Sequence, residues 1–320
     1  MVNPIHKTKN TMKPLQNGRI IKIDCTIKQY LDSKGGESGE PRILSRGDLC
    51  EIAMCPRRWK NGYKSPDLRL PSVEFGSLFD CLLLQPHKFK EYYLTAPPTY
   101  ETKGETKTWT WKSSTCRNWR AEQEEKGFLV CAEDDLIECK SALAGLLNHP
   151  QMGAQTERLI SESKHQVFVI AEYRDEATEM IVPVKILTDI VPNPEDDEFG
   201  HSLVDLKTTR SAEHRCWTKS VFENDYHVQA AMNLDCHNAV PGDFQRDMFR
   251  HLIVENFKPW EPAGRWLTQE YIDLGRQKYL GALRTYCRCV ADQKWPSYSD
   301  PMAIDDAGYD SCSPLPYMVQ

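Results

Sequence analysis

The spacing of hydrophobic residues changes partway along this chain, and the change separates two kinds of structure. Up to about residue 160 the spacing is helical. In EFGSLFDCLLLQP, Phe75, Leu78, Phe79, Leu82 and Leu83 recur at intervals of one, three and four, and Pro86 closes the run. Asp80 is the odd residue on that helix. Ser45 followed by Asp48 forms a capping-box start for a helix through LCEIAM, ending near Cys55-Pro56. Leu136, Leu143 and Leu147 share a face of a helix beginning near Asp134, which HPQ at 149–151 breaks before a shorter helix around Glu157. Between these, residues 101–120 show no period and read as a long loop or irregular hairpin rich in Lys, Arg and Trp.

Beyond that point the pattern becomes strand-like. QVFVIAEY (166–173), MIVPVKILTDIV (180–191) and SLVDLKT (202–208) are short, β-branched and separated by polar turn residues. An amphipathic segment, YHVQAAMNLD (226–235), a further strand, MFRHLIVE (248–255), and a long helix over about 268–291 follow. The order of helices, three strands, helix, strand, helix predicts a mixed α/β domain.

Composition narrows the function. With 40 Lys+Arg against 46 Asp+Glu, a net charge of −6, the 320-residue chain is not a uniformly basic nucleic-acid coat. The charge is uneven at the ends. Lys7, Lys9, Lys13 and Arg19 stand in 1–20 without an acid, and Asp300, Asp305, Asp306 and Asp310 stand in 296–320 without a base. Both ends are therefore expected to be loosely ordered tails, leaving 21–295 as one domain with a helical part (44–160) and a core (161–295). No window approaches 18 apolar residues and the N-terminus has no signal-peptide apolar stretch, so the expectation is an intracellular, cytoplasmic protein with no membrane partner. The twelve cysteines then read as reduced thiols, with metal ligation the lesser reading.

The segment with chemical content is SLVDLKTTRS. Alternate side chains of a strand share a face, so Asp205 and Lys207 project together while Val204 and Leu206 pack on the other side. Acid-x-Lys occurs eight times in the chain, and only the one at Asp205 lies in an apolar strand. The preceding strand ends KILTDIV, placing Asp189 among Ile186, Leu187, Ile190 and Val191, a costly position for an unpartnered charge. If the two strands pair, Asp189 and Asp205 converge as hard oxygen ligands for Mg²⁺ or Mn²⁺, with Lys207 beside the attacking water. Such a site suits phosphodiester hydrolysis. The alternative is a surface pair of Asp205 and Lys207, with Asp189 capping a turn.

KILTD and DLKTT, followed by YHVQAAMNLD, resemble the PD-(D/E)xK nuclease superfamily, specifically the RecE type (exonuclease VIII family). The likeness extends in order from LSRGDLCEIAMCPRRWK (44–60), through FGSLFDCLLLQPHKF (75–89) and NHPQM (148–152), to WLTQEYIDLGRQKYLGALRTYCRCVADQKWPSY (266–298). It implies a restriction-endonuclease-like α/β core, a central mixed β-sheet flanked by helices, behind an N-terminal helical portion. The resemblance makes Asp189 and Asp205 metal-binding, Lys207 catalytic, Glu162 the acid that begins the core, and Gln229 a residue near the site and the DNA backbone. It further implies 5′ to 3′ digestion of double-stranded DNA ends, a homo-oligomer, and a single-strand annealing protein as partner.

Two positions depart from that family. Where GSLFD usually carries a metal-ligating histidine this chain has Asp80, itself a hard oxygen ligand. Asn233 stands where an aromatic is more usual. Local basic patches would meet DNA: Arg57, Arg58, Lys60 and Lys64, and a second of Lys103, Lys107, Lys112, Arg117 and Arg120 interleaved with Trp109, Trp111 and Trp119. Some superfamily members hold an iron–sulfur cluster; Cys55 resembles a first ligand, but Cys287, Cys289 and Cys312 lack the spacing such clusters use. The rival readings are an endonuclease or iron–sulfur nuclease of the same superfamily, and a non-catalytic DNA-binding or assembly protein.

Overall fold

The computed structural model describes residues 14–36, 41–62 and 71–298. The chain begins with strand β1 (Gln16–Lys22), helix α1 (Ile27–Asp32), the two-residue β2 (Leu44–Ser45), α2 (Arg46–Met54) and α3 (Pro56–Lys60). Next come α4 (Pro71–Leu84), α5 (Phe89–Tyr92), β3 (Tyr93–Thr95), the hairpin β4 (Thr99–Thr102) and β5 (Glu105–Thr108), α6 (Ser114–Glu125), β6 (Leu129–Cys131), α7 (Glu133–Leu147) and α8 (Gly153–Glu162). The second half holds β7 (Lys164–Arg174), β8 (Ile181–Val191), β9 (Ser202–Thr209), α9 (His214–Glu223), α10 (Tyr226–Asn238), β10 (Met248–Glu255), β11 (Pro262–Trp266) and α11 (Gln269–Asp292).

One seven-stranded sheet organises these elements, in the order β1-β7-β8-β9-β10-β11 with β2 beside β8. It is mostly antiparallel; β9–β10 and β2–β8 are the parallel pairs. Both faces are covered, which is why its strands read as nearly continuous apolar runs. On one face Val167, Val169, Val184, Leu203 and Phe249 pack with α2, α10 and α11 through Leu49, Ile52, Met232, Tyr279 and Leu283. On the other, Ile190, Val204, Leu206, Leu252 and Val254 meet Leu78, Phe79 and Leu83 of α4, Leu146 of α7 and Leu159 of α8. The mixed sheet with flanking helices expected from the pattern is thus present.

Several local expectations need correction. The boundary placed at residue 20 cuts through β1, which pairs antiparallel with β7, so residues 16–20 belong to the sheet. The stretch 101–120 resolves into the β4–β5 hairpin, turning at Lys103 and Gly104 with positive φ at both, and the first half of α6. YHVQAAMNLD is a central helix rather than an amphipathic one: ten of the thirteen residues of α10 are buried, because it lies between the sheet and α11. Residues 1–13 and 299–320, including Lys7, Lys9, Lys13 and the four tail aspartates, lie outside the described residues, as does Lys64.

No described helix is long and apolar enough to cross a membrane.

Candidate functional site

The site forms where the sheet forks. β8 and β9 share a single ladder pair, Ile190 with Val204, while β9 pairs with β10 along its whole length and β8 with β7 along its own. Past the fork the Leu206 N–H has no β8 carbonyl to meet. It donates instead to Asp189 Oδ2 at 2.9 Å, and Gln166 Nε2 donates to Asp189 Oδ1 at 3.3 Å. An aspartate in an apolar strand is therefore tolerated because it replaces a missing backbone acceptor.

Alternation along β9 aims Asp205 and Lys207 to the α10 side, with Leu203. Asp205 is fully buried, and its two oxygens have different partners. Gln229 Nε2 donates to Oδ1 at 2.6 Å, and the Lys207 ammonium sits against Oδ2. Tyr226 and Gln229, three residues apart at the start of α10, share a helix face; the Tyr226 ring lies 5.2 Å from Lys207 Nζ. Asp80 comes from α4 on the other sheet face. Gly76, one turn before it, brings α4 so close to β9 that a Cβ there would lie 2.9 Å from Thr208 Oγ1.

The charges act on one another. Burial, with the Asp205 charge added and Lys207 opposing, pushes the Asp80 carboxyl up to about 7. Burial, then Asp205, raises Asp189 well above the ordinary carboxylate range, against the pull of Lys207. For Lys207, burial works against the ammonium, but Asp205 and Asp189 outweigh it and hold the group charged. Three carboxyl groups thus share one ammonium, and burial and mutual repulsion disfavour ionisation of Asp80 and Asp189, a cost that a divalent cation would relieve. Their donor chemistry, hard oxygens with the buried Asp205 Oδ2 free of any N–H or O–H donor but that ammonium, fits such an ion. Among the described residues, though, no three His, Cys, Asp or Glu side chains stand ready-grouped to hold a metal.

Asp205, Lys207 and Gln229 are thus in direct contact, Asp189 is joined to the same strand through the Leu206 N–H, and Asp80 acts on them electrostatically from α4. Glu162 is not among the groups paired with them; it ends α8, exposed, on a surface cleft with Arg158, Asn193 and Asp196. Asn233 is buried one turn beyond Gln229. His227 is buried against the Val221 carbonyl, 3.2 Å from its Nδ1, and stacks on Phe222.

His251 carried no role in the sequence reading. It is buried on β10 directly opposite Asp205 in the parallel register, with Nε2 3.9 Å from Asp205 Oδ2 and neither ring nitrogen hydrogen-bonded among the described residues. Burial pushes its pKa down to about 4 against the attraction of Asp205, so the ring is neutral at ordinary pH. The available signal was a histidine in the apolar run MFRHLIVE, but nothing local says which strand that run adjoins.

The basic patches are partly engaged within the protein. Arg57 and Lys60 are exposed, Lys60 over the Trp295 ring, whereas Arg58 pairs with Glu51 and Tyr298. Lys103, Lys107, Lys112 and Arg117 are exposed, while Arg120 pairs with Glu74 and Glu124. Trp109 packs edge-on against both Trp111 and Trp119, so these rings support one another as a small cluster. Cys287 and Cys289, two apart on α11, project about 200° from each other and cannot face one cluster together.

No family model matches the chain, and no curated protein matches it. Among solved structures, a candidate exonuclease from Eubacterium rectale aligns with a TM-score of 0.51 at 13% identity, covering 93% of this chain and 98% of that one. Two structures of Rai1 from Scheffersomyces stipitis, one in complex with (3′-NADP)+ and calcium ion, align at a TM-score of 0.29. Their identities are 12% and 10%, over 79% and 91% of this chain and 66% and 87% of theirs, and so weak a match carries no argument. The near-complete overlap with the Eubacterium rectale protein shows a shared fold, mixed α/β with a mostly antiparallel central sheet.

Proposed function

We propose that this chain is a metal-dependent deoxyribonuclease of the PD-(D/E)xK superfamily and RecE type, hydrolysing linear double-stranded DNA from its ends. One observation carries the reading: buried Asp205 and Lys207 are paired on β9 at its fork with β8, Asp189 accepts from the Leu206 N–H beside them, and Asp80 of α4 lies near enough to act electrostatically on the group. The fold shared with a candidate exonuclease supports it.

Asp80, Asp189 and Asp205 would hold Mg²⁺, or Mn²⁺. The ion would supply acidification of water and neutralisation of charge gathering on the scissile phosphate. The remaining work falls to the chain. Lys207, kept charged by its neighbours, donates to and orients a water or phosphate oxygen rather than removing a proton. Gln229 fixes the rotamer of Asp205 through Oδ1, leaving Oδ2 directed at the reaction. Exposed lysines and arginines near α3 and on the β4–β5 hairpin are the candidates for phosphate contacts, since the net charge of −6 leaves binding to local patches. The 5′ to 3′ direction, a homo-oligomer and a single-strand annealing partner complete the proposal on resemblance alone.

The test is incubation of the purified protein with end-labelled linear and closed circular duplex in Mg²⁺, beside Lys207→Ala. Digestion of the linear form alone, abolished in the variant, is expected. No digestion, or equal digestion by both proteins, sinks the catalytic reading, and cutting of the circle redirects it to an endonuclease.

A second reading, a DNA-binding or assembly protein that has kept the nuclease fold, draws on one feature: both Asp205 oxygens already have partners within the chain. It expects duplex binding without digestion in the same assay.

A further inference from the structure

We propose that His251 is a nitrogen ligand of the divalent ion, sharing it with Asp205; the inference rests on the metal reading of the site and extends it to a residue outside the carboxylate set. Buried polar groups are almost always hydrogen-bonded, yet among the described residues both His251 nitrogens lack partners in a ring that is 1% exposed. The ring packs among aromatic side chains, with the centroids of Trp217, Tyr226 and Phe249 5.2, 5.9 and 5.3 Å away. What Nε2 faces is Asp205 Oδ2, at 3.9 Å.

That separation discriminates among partners. It is too long for an N–H···O bond, and short for a bridging water, which at about 2.8 Å from each side spans nearer ~4.5 Å. About an octahedral ion with bonds of about 2.1 Å, adjacent donors lie about 3.0 Å apart and opposite donors about 4.2 Å; the 3.9 Å separation falls between the two, within about 1 Å of either. Oδ2 is also the oxygen that already attracts a cation, the Lys207 ammonium, whereas Oδ1 is taken by Gln229. The parallel register of β9 and β10 fixes the pair, because His251 and Asp205 are direct neighbours across it. An imidazole among carboxylates shifts a site's preference from Mg²⁺ toward transition-metal ions.

Mn²⁺ bound to the full chain, without DNA, is the probe, read by electron spin echo modulation. Wild-type protein is expected to show ¹⁴N modulation from a directly bound nitrogen, replaced by the ¹⁵N pattern when histidine is supplied as the ¹⁵N form. His251→Asn, and His251→Gln as a second variant, are expected to keep Mn²⁺ on the carboxylates, lose the nitrogen modulation, and release Mn²⁺ at lower Mg²⁺ concentration. Bound Mn²⁺ without histidine nitrogen coupling in wild type, or coupling that persists in either variant, overturns the role of His251 and leaves the carboxylate site standing. Failure of wild type to bind Mn²⁺ at all overturns the metal reading itself.

Discussion

The Gln229 side-chain amide donates to Asp205 Oδ1 at 2.6 Å across the gap between α10 and β9, joining the central helix to the buried carboxylate of the sheet. The bond closes the first of two oxygens in a residue with no access to water. Everything else at the site is arranged around the second.

Gln229→Leu should therefore destabilise the fold by about 1–3 kcal/mol, the cost of a buried acceptor left without its donor. Equilibrium denaturation measures it. Relative to wild type, Gln229→Glu should lose more stability at neutral pH than at pH 5, since it sets a second carboxylate against Asp205; an equal loss at both values would contradict this account of the contact.

The approach of α4 to β9 gives a paired prediction. Gly76→Ala places a Cβ 2.9 Å from Thr208 Oγ1, so either the helix carrying Asp80 or the Thr208 side chain must shift. Stability and any nuclease rate should both fall, and Thr208→Ala in the same chain should restore much of each. A loss untouched by the second change would place the effect elsewhere.

Arg246 secures the loop between β8 and β9. Buried, it donates to the carbonyls of Gly200 at 2.6 Å, Ser202 at 3.0 Å and Pro192 at 2.8 Å. Arg246→Met should cost about 3 kcal/mol or more by orphaning those acceptors, and Arg246→Lys should recover only part, since one ammonium cannot span the set. Hydrogen exchange should show faster exchange confined to residues 192–202.

The pH dependence of stability should carry a signature of His237. Burial pushes the pKa of this fully buried ring below its ordinary 6.5, with Asp243 opposing and Arg246 assisting; its Nε2 meets Thr188 Oγ1 at 3.1 Å. The folded state thus binds fewer protons than the unfolded state below about pH 6.5, and stability falls as pH drops through that window. His237→Asn should flatten this part of the profile in urea titrations; an unchanged slope would show that the ring is not the group responsible.

How much could be read in advance divides along the range of the contacts. The three strands and Asp189, Asp205 and Lys207 were legible because alternation and burial are local properties, and each charge stood out in an apolar run. Gln229 and Asp80 were legible only through resemblance, since the meeting of α10 and α4 at one strand is set by packing on opposite sheet faces. His251 went unnoticed for the same reason: its significance comes from a parallel register with residues about 45 positions earlier. β1 escaped because QNGRIIK is an exposed edge strand, with Asn17 at positive φ and irregular pairing, so it has neither clean alternation nor an apolar run. Glu162 sat correctly at the head of the core by position, but its side chain lies on a different surface.

The fork between β8 and β9 also sets the order in which the site can come into being. Its parts arrive from α4, β8, β9, α10 and β10, in both layers, so a chain emerging from the ribosome holds no complete cluster until α10 can settle on the sheet and β10 can pair with β9. On the proposed reading, the chain would stay inert through most of its own synthesis and complete its candidate site only with the closing third of the fold.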